Sequence, residues 1–105
     1  MIGVFVTFRY QGNFDGDKIC RIAEAARPRF EKMPGLRSKT FTFNSEAAEA
    51  VNFYVWDSEE AATAFFNEEV VQRITELYGV RPIVTFARIA TLVDNATSNE
   101  PMPPG

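Results

Sequence analysis

Apolar and polar side chains alternate from Ile2 to Tyr10, with Ile2, Val4, Val6 and Phe8 on one side and Gly3, Phe5, Thr7 and Arg9 on the other. That two-residue period predicts a first strand. After the turn-forming run Gln11 to Gly16, the period changes. Ile19, Ile22, Ala23, Ala26, Phe30 and Met33 recur every three or four residues, which predicts an amphipathic helix from about Gly16 to Met33. Pro28 lies inside this pattern and removes a backbone donor, so a kink or break is expected there.

Pro34-Gly35 stops the helix, and Leu36 to Asn44 reads as a strand through Thr40, Phe41, Thr42 and Phe43. The polar turn Ser45 to Ala48 leads into a further strand, Glu49 to Trp56, in which Val51, Phe53 and Val55 alternate with Asn52, Tyr54 and Trp56. Asp57-Ser58-Glu59-Glu60 has the D-x-x-E form of a capping box and predicts a second helical region beginning at Asp57 or Ser58. This region bends near Asn67 and closes at Gly79. A last strand is expected from Val80 to Val93, with Pro82 marking an edge or bulge. One domain thus spans residues 1–95, and the proline-rich residues 96–105 read as a loose tail.

The order β-α-β-β-α-β, with two amphipathic helices on one face of an antiparallel sheet, is the ferredoxin-like α+β sandwich. Parity then raises the question of the other face. With Phe53 and Val55 turned to the helices, the outer face would carry Phe5, Thr7, Asn52, Tyr54, Trp56 and Phe86, too apolar a surface to face water. Pairing two copies sheet to sheet resolves this, so a homodimer is expected, with a cavity for a small apolar or aromatic ligand on the outer face.

Composition narrows the chemistry. The chain has 105 residues and a formal net charge of −3, and its arginines are scattered, which argues against nucleic-acid binding. No stretch is long and apolar enough for a membrane span, and Met1 leads straight into a strand, so a cytoplasmic location is expected. The single Cys20 excludes an internal disulfide and a cysteine zinc site, and no metal is expected. There is no histidine, which removes the commonest acid–base residue and transition-metal ligand.

The run Tyr54-Val55-Trp56-Asp57-Ser58-Glu59-Glu60-Ala61-Ala62 resembles the strand-to-helix junction of the dimeric α+β barrel proteins related to antibiotic-biosynthesis monooxygenases. Met33-Pro34-Gly35-Leu36 followed by Lys39, the strand Phe53 to Trp56, and Leu77-Tyr78-Gly79-Val80 are similar to the YdhR-type mono-oxygenase group, over roughly Ile2 to Asn95. The resemblance implies a cofactor-independent monooxygenase that positions an aromatic or polyketide-like substrate and stabilises its anion. Haem-degrading, cyclising and stress-barrel relatives rely on histidine, which this chain lacks. A cyclase or isomerase would need Tyr10, Tyr54 or Asp57, and a dimer that binds a small ligand without turning it over is the other alternative.

The candidate catalytic residues are Trp56, Tyr54 and Arg88, with Asn52, Arg9, Thr7, Phe5, Phe86 and Lys39 as substrate-binding candidates. Trp56 and Phe86 would line an apolar slot, while Tyr54 and Asn52 would donate hydrogen bonds. Arg9 and Arg88, on neighbouring strands, would together hold a phenolate or similar anion. Trp56 is equally readable as an interface aromatic, and Asp57 as a helix cap. The face of Lys39 is left open by the pattern.

Overall fold

The computed structural model describes residues 1–95. The chain runs β1 (Ile2–Arg9), α1 (Gly16–Phe30), β2 (Leu36–Asn44), β3 (Glu49–Trp56), α2 (Glu59–Phe65), α3 (Glu68–Tyr78) and β4 (Ile83–Arg88). The strands form one antiparallel sheet in the order β2-β3-β1-β4, and the fold is ferredoxin-like α+β.

Side chains fix the ends of the helices. The Asp15 carboxylate accepts the Lys18 backbone N–H at 3.2 Å and starts α1. Pro28 falls in the last turn, so α1 runs unbroken to it and stops two residues later, short of the predicted Met33. Lys32 and Gly35, both at positive φ, then turn the chain into β2. The region after β3 is two helices, because Asn67 caps α3 by accepting the Val70 N–H at 2.8 Å. Ser58 is the cap of α2, its Oγ accepting from Ala61 N–H at 3.1 Å. Asp57 is no cap; its carboxylate lies 3.6 Å from Arg37 Nε. Gly79, at φ 84°, closes α3 with an N–H donated to the Thr75 carbonyl at 2.8 Å.

The last strand is much shorter than the predicted Val80 to Val93, since only Ile83–Arg88 pairs, along the β1 edge. The predicted tail, 96–105, lies outside the described residues. Among the described residues, no helix is long and apolar enough to cross a membrane.

Register settles which residues share a face. Val4 lies opposite Tyr54 and Phe86, Val6 opposite Asn52 and Val84, and Ile2 opposite Trp56 and Arg88. Residues directly opposite project to the same side. Because Val4, Val6 and Phe8 are fully buried under the helices, Asn52, Tyr54 and Trp56 face the helices too. This reverses the expectation for β3 and for Phe86. Phe53 is on the outer face, its ring 4.6 Å from that of Phe5, and Gly3 makes room for it: a Cβ there would stand 2.9 Å from the Phe53 ring. The aromatics of β3 are used beneath the helices, where Phe65 and Phe66 pack against Tyr54 and Trp56.

Candidate functional site

The space between sheet and helices is not completely filled. A cavity of about 90 Å³ remains there. The sheet supplies its floor through Lys39 and Phe41 of β2 and Asn52 and Tyr54 of β3. Its walls come from α1, including Arg29 and Phe30, from Phe65 of α2, and from α3, including Arg73, Leu77 and Tyr78. Among the described residues, no aspartate or glutamate lines it. Two shallower grooves, of about 470 and 260 Å³, flank it and share Lys39 and Phe41 with it. These two side chains are therefore the partition between the cavity and the surface.

The polar groups of the cavity are unusual for a protein interior. Lys39 Nζ stands over three rings, 3.5 Å from the Phe30 centroid, 4.2 Å from Phe41 and 4.4 Å from Tyr54, and it makes no ion pair among the described residues. Burial, with the Arg29 charge beside it, lowers its pKa from 10.5 to about 7. The ring faces work in the opposite sense, favouring the ammonium. Lys39 is thus a base poised near neutrality. Asn52, 2% exposed, donates from its Nδ2 to Tyr78 Oη at 3.0 Å, while its Oδ1 has no partner among the described residues. The amide has two polar ends and one partner, so one end is left over whichever way it is turned. An unpaired buried polar atom costs about 1–3 kcal/mol.

The Tyr54 hydroxyl makes no hydrogen bond among the described residues, and burial followed by the charge of Tyr78 pushes its pKa up. Burial also raises Tyr78, opposed by its bond to Asn52. Tyr10 donates its O–H to the Tyr78 carbonyl at 2.8 Å, anchoring the end of α3. Both cavity phenols therefore stay protonated and serve as hydrogen-bond donors.

The structure brings together Lys39, Asn52 and Tyr54 but not the other candidates. Trp56 is buried behind Tyr54, ring centroids 6.1 Å apart and nearly parallel, and braces it without lining the cavity. Its Nε1 has no partner among the described residues. Phe86 shares the helix face but packs toward Phe66. Phe5 and Thr7 are on the outer face, opposite Phe53 and Val51.

The arginine pair does not form. Arg9 is on the outer face at one end of β1, bonded to Glu49 at 3.3 Å. Arg88 lies opposite Ile2 at the other end and on the helix side. Seven strand positions, roughly 23 Å, separate them. The cavity cations are instead Lys39, Arg29 and Arg73, the last of which is engaged by Glu69 at 3.3 Å. Asn52, Tyr54, Trp56 and Phe86, expected to line an outer-face pocket, face the helices instead. Among the described residues, no group of three metal-ligating side chains occurs.

Arg29, Phe30, Arg73 and Tyr78 were not among the sequence candidates. The available signal was Tyr78 just before the Gly79 cap, at helical spacing from Ile74.

The chain is thus a ferredoxin-like β-α-β-β-α-α-β sandwich with an apolar, cation-lined cavity under its helices. Residues 4–92 match the family described as Putative mono-oxygenase ydhR, and the chain belongs to that family. No curated protein matches its sequence. Solved structures share the fold. One is a monooxygenase from the Streptomyces coelicolor gene ActVA-Orf6, in complex with nanaomycin D. It is 23% identical with a TM-score of 0.64, over 89% of this chain and 92% of that one. A point mutant of SnoaB, a cofactor-independent oxygenase from Streptomyces nogalater, is 14% identical with a TM-score of 0.63, over 88% and 95%. A putative antibiotic biosynthesis monooxygenase from Bordetella bronchiseptica is 19% identical with a TM-score of 0.64, over 86% and 97%.

Proposed function

We propose that this protein is a cofactor-independent monooxygenase for a small aromatic or polyketide-like substrate carrying a phenolic or enolisable group, bound in the cavity between sheet and helices. The observation that carries this reading is an apolar, carboxylate-free cavity holding one unpaired amine, Lys39, beside the free Tyr54 hydroxyl and the half-partnered Asn52 amide. Such a site favours an electron-rich anion, the form of a phenol that reacts with dioxygen. The family and the likeness to SnoaB support the same reading. One oxygen atom of O2 enters the ring carbon and the other leaves as water, with the substrate supplying the electrons.

A suitable probe is 1,5-dihydroxynaphthalene, which with O2 gives a hydroxynaphthoquinone and water. Protein-dependent oxygen uptake, and one labelled oxygen per quinone from isotope-labelled O2, are expected. Uptake no faster than in buffer, with the naphthol recovered unchanged from the protein, would leave a binding function in place of an oxygenase. The outer face belongs to the same proposal: a second copy covers Phe5 and Ile83, 41% and 51% exposed, in a sheet-to-sheet homodimer.

A further inference from the structure

We propose that the Lys39 amine is the proton acceptor for the hydroxyl group of the ligand, so that the ligand is held as a phenolate against the ammonium formed by the same transfer. This rests on the cavity being a site for a phenol, and it assigns to one residue the ionisation that such chemistry requires. The O–H bond breaks with its electron pair kept by oxygen, a N–H bond forms on Nζ, and the total charge of the site is unchanged. Nothing is oxidised or reduced in the step.

Geometry is the main argument. Lys39 projects from β2 on the helix face, opposite Tyr54, into a box of ring faces at 3.5 to 4.4 Å. Among the described residues, no carboxylate pairs with it to hold its proton. In the empty box, burial and the Arg29 charge favour the neutral amine against the pull of the ring faces; an anion in the box adds to that pull, so the ammonium is favoured once the ligand is ionised.

The titratable and charged groups around Lys39 do not replace it. From α1, Arg29 repels a proton on Nζ and is always charged. Glu24 and Arg27 line one flanking groove, while Glu31, held by Arg27 at 3.4 Å, lines the other with Lys32 and Arg37. From β3 and α3, Tyr54 and Tyr78 have raised pKa values and keep their protons, and Arg73 is held by Glu69. Without histidine, Lys39 is the one group of the cavity lining that changes protonation near neutrality; its value is about 7.

The test needs no oxygen chemistry. 3-Nitrophenol is a single-ring phenol, mostly protonated in water at about neutral pH, whose phenolate absorbs in the visible. Titrated with the intact protein slightly above the Lys39 value, it is expected to show a saturable phenolate band severalfold above buffer. Few protons should be released, as counted by calorimetry in buffers of different ionisation enthalpy. Lys39→Arg, cationic but unable to accept a proton, should keep the band and release close to one proton per ligand. Lys39→Met should lose the band.

Binding of the neutral phenol by the wild-type chain, a band that survives in Lys39→Met, or a full proton released by the wild type would each overturn the inference. Those results leave the oxygen-uptake experiment to decide the oxygenase reading independently. Absence of any 3-nitrophenol binding would overturn both the inference and the cavity assignment beneath it.

Discussion

The two faces of this sheet are built from the same strands and nearly the same residue types, yet they do opposite things. On the helix side, Val4, Val6 and Phe8 of β1 pack with Tyr54 and Trp56 of β3, all nearly or fully buried. The remaining space collects a lysine, an amide and two phenols. On the outer side, Phe5 and Phe53 pack together with their rings tilted by 37° beside Thr7, Val51 and Ile83, with no helix among the described residues over them. Apolarity therefore does not distinguish core from surface in this molecule. The helix face is distinguished by its polar groups having nowhere else to go, and the outer face by its apolar groups having nothing to cover them.

The comparison can be broken first at its strongest point. Phe8 is fully buried and stacked on Tyr78, centroids 3.8 Å apart, so Phe8→Ala should lower unfolding free energy by about 3–5 kcal/mol. In urea titrations below the dimer concentration range, Phe5→Ala should cost well under half as much. Equal losses would mean that the two faces are not energetically different.

Next in size is the outer face itself. If a second copy covers this face, the wild type should sediment as a dimer and a Phe5→Lys, Ile83→Asp double variant as a monomer with an unchanged circular dichroism spectrum. A wild-type monomer would show that the outer face is not covered by a second copy.

The helix face makes a pH prediction. Between about 7, the folded value of Lys39, and its ordinary value near 10.4, the unfolded chain binds the proton that the folded chain has lost. Stability should therefore rise with pH through that window, by at most about 1.4 kcal/mol per pH unit. The raised tyrosines act above it, where the folded state keeps protons that the unfolded chain releases, and stability falls again. Lys39→Met should flatten the rise, as read from urea midpoints across the window; an unchanged slope would assign it to other groups.

The smallest effect concerns the Asn52–Tyr78 bond, and its asymmetry is the test. Tyr78→Phe strands the Asn52 amide and should cost about 1–3 kcal/mol, while Asn52→Leu removes one bond and one orphaned acceptor and should stay within about 1 kcal/mol of the wild type. A larger loss for Asn52→Leu would show that the spare amide end is satisfied in solution.

Much of the fold was legible because its signals are local. The two-residue period of Ile2 to Arg9, the turn at Ser45 to Ala48 and the stop at Gly79 each act over a few residues, and each appears where it was expected. The face of β3 was not legible. Val51, Phe53 and Val55 look as core-like as Asn52, Tyr54 and Trp56, and only pairing with β1 decides between them. That single parity choice carried Asn52, Tyr54 and Trp56 to the wrong side of the sheet, with Phe86 following them. Lys39, Asn52 and Tyr54 were still legible as chemistry, because a lysine and an amide among aromatics are conspicuous on either face. Arg9 and Arg88 failed for a different reason: adjacent strands need not place their arginines at the same end.

Gly3 bears on how the two faces can change independently. The missing methyl group lets the Phe53 ring lie down against the sheet, so the relief of the outer surface is set by a hydrogen atom on a strand whose alternate side chains, Ile2, Val4, Val6 and Phe8, line the interior. Exchanging that hydrogen for a methyl would tilt one ring outward and alter what can dock there, while Val4 and Val6, pointing the other way, would keep their neighbours. The sheet behaves as an insulating partition, and the partner surface can be recut without retuning the chemistry beneath it.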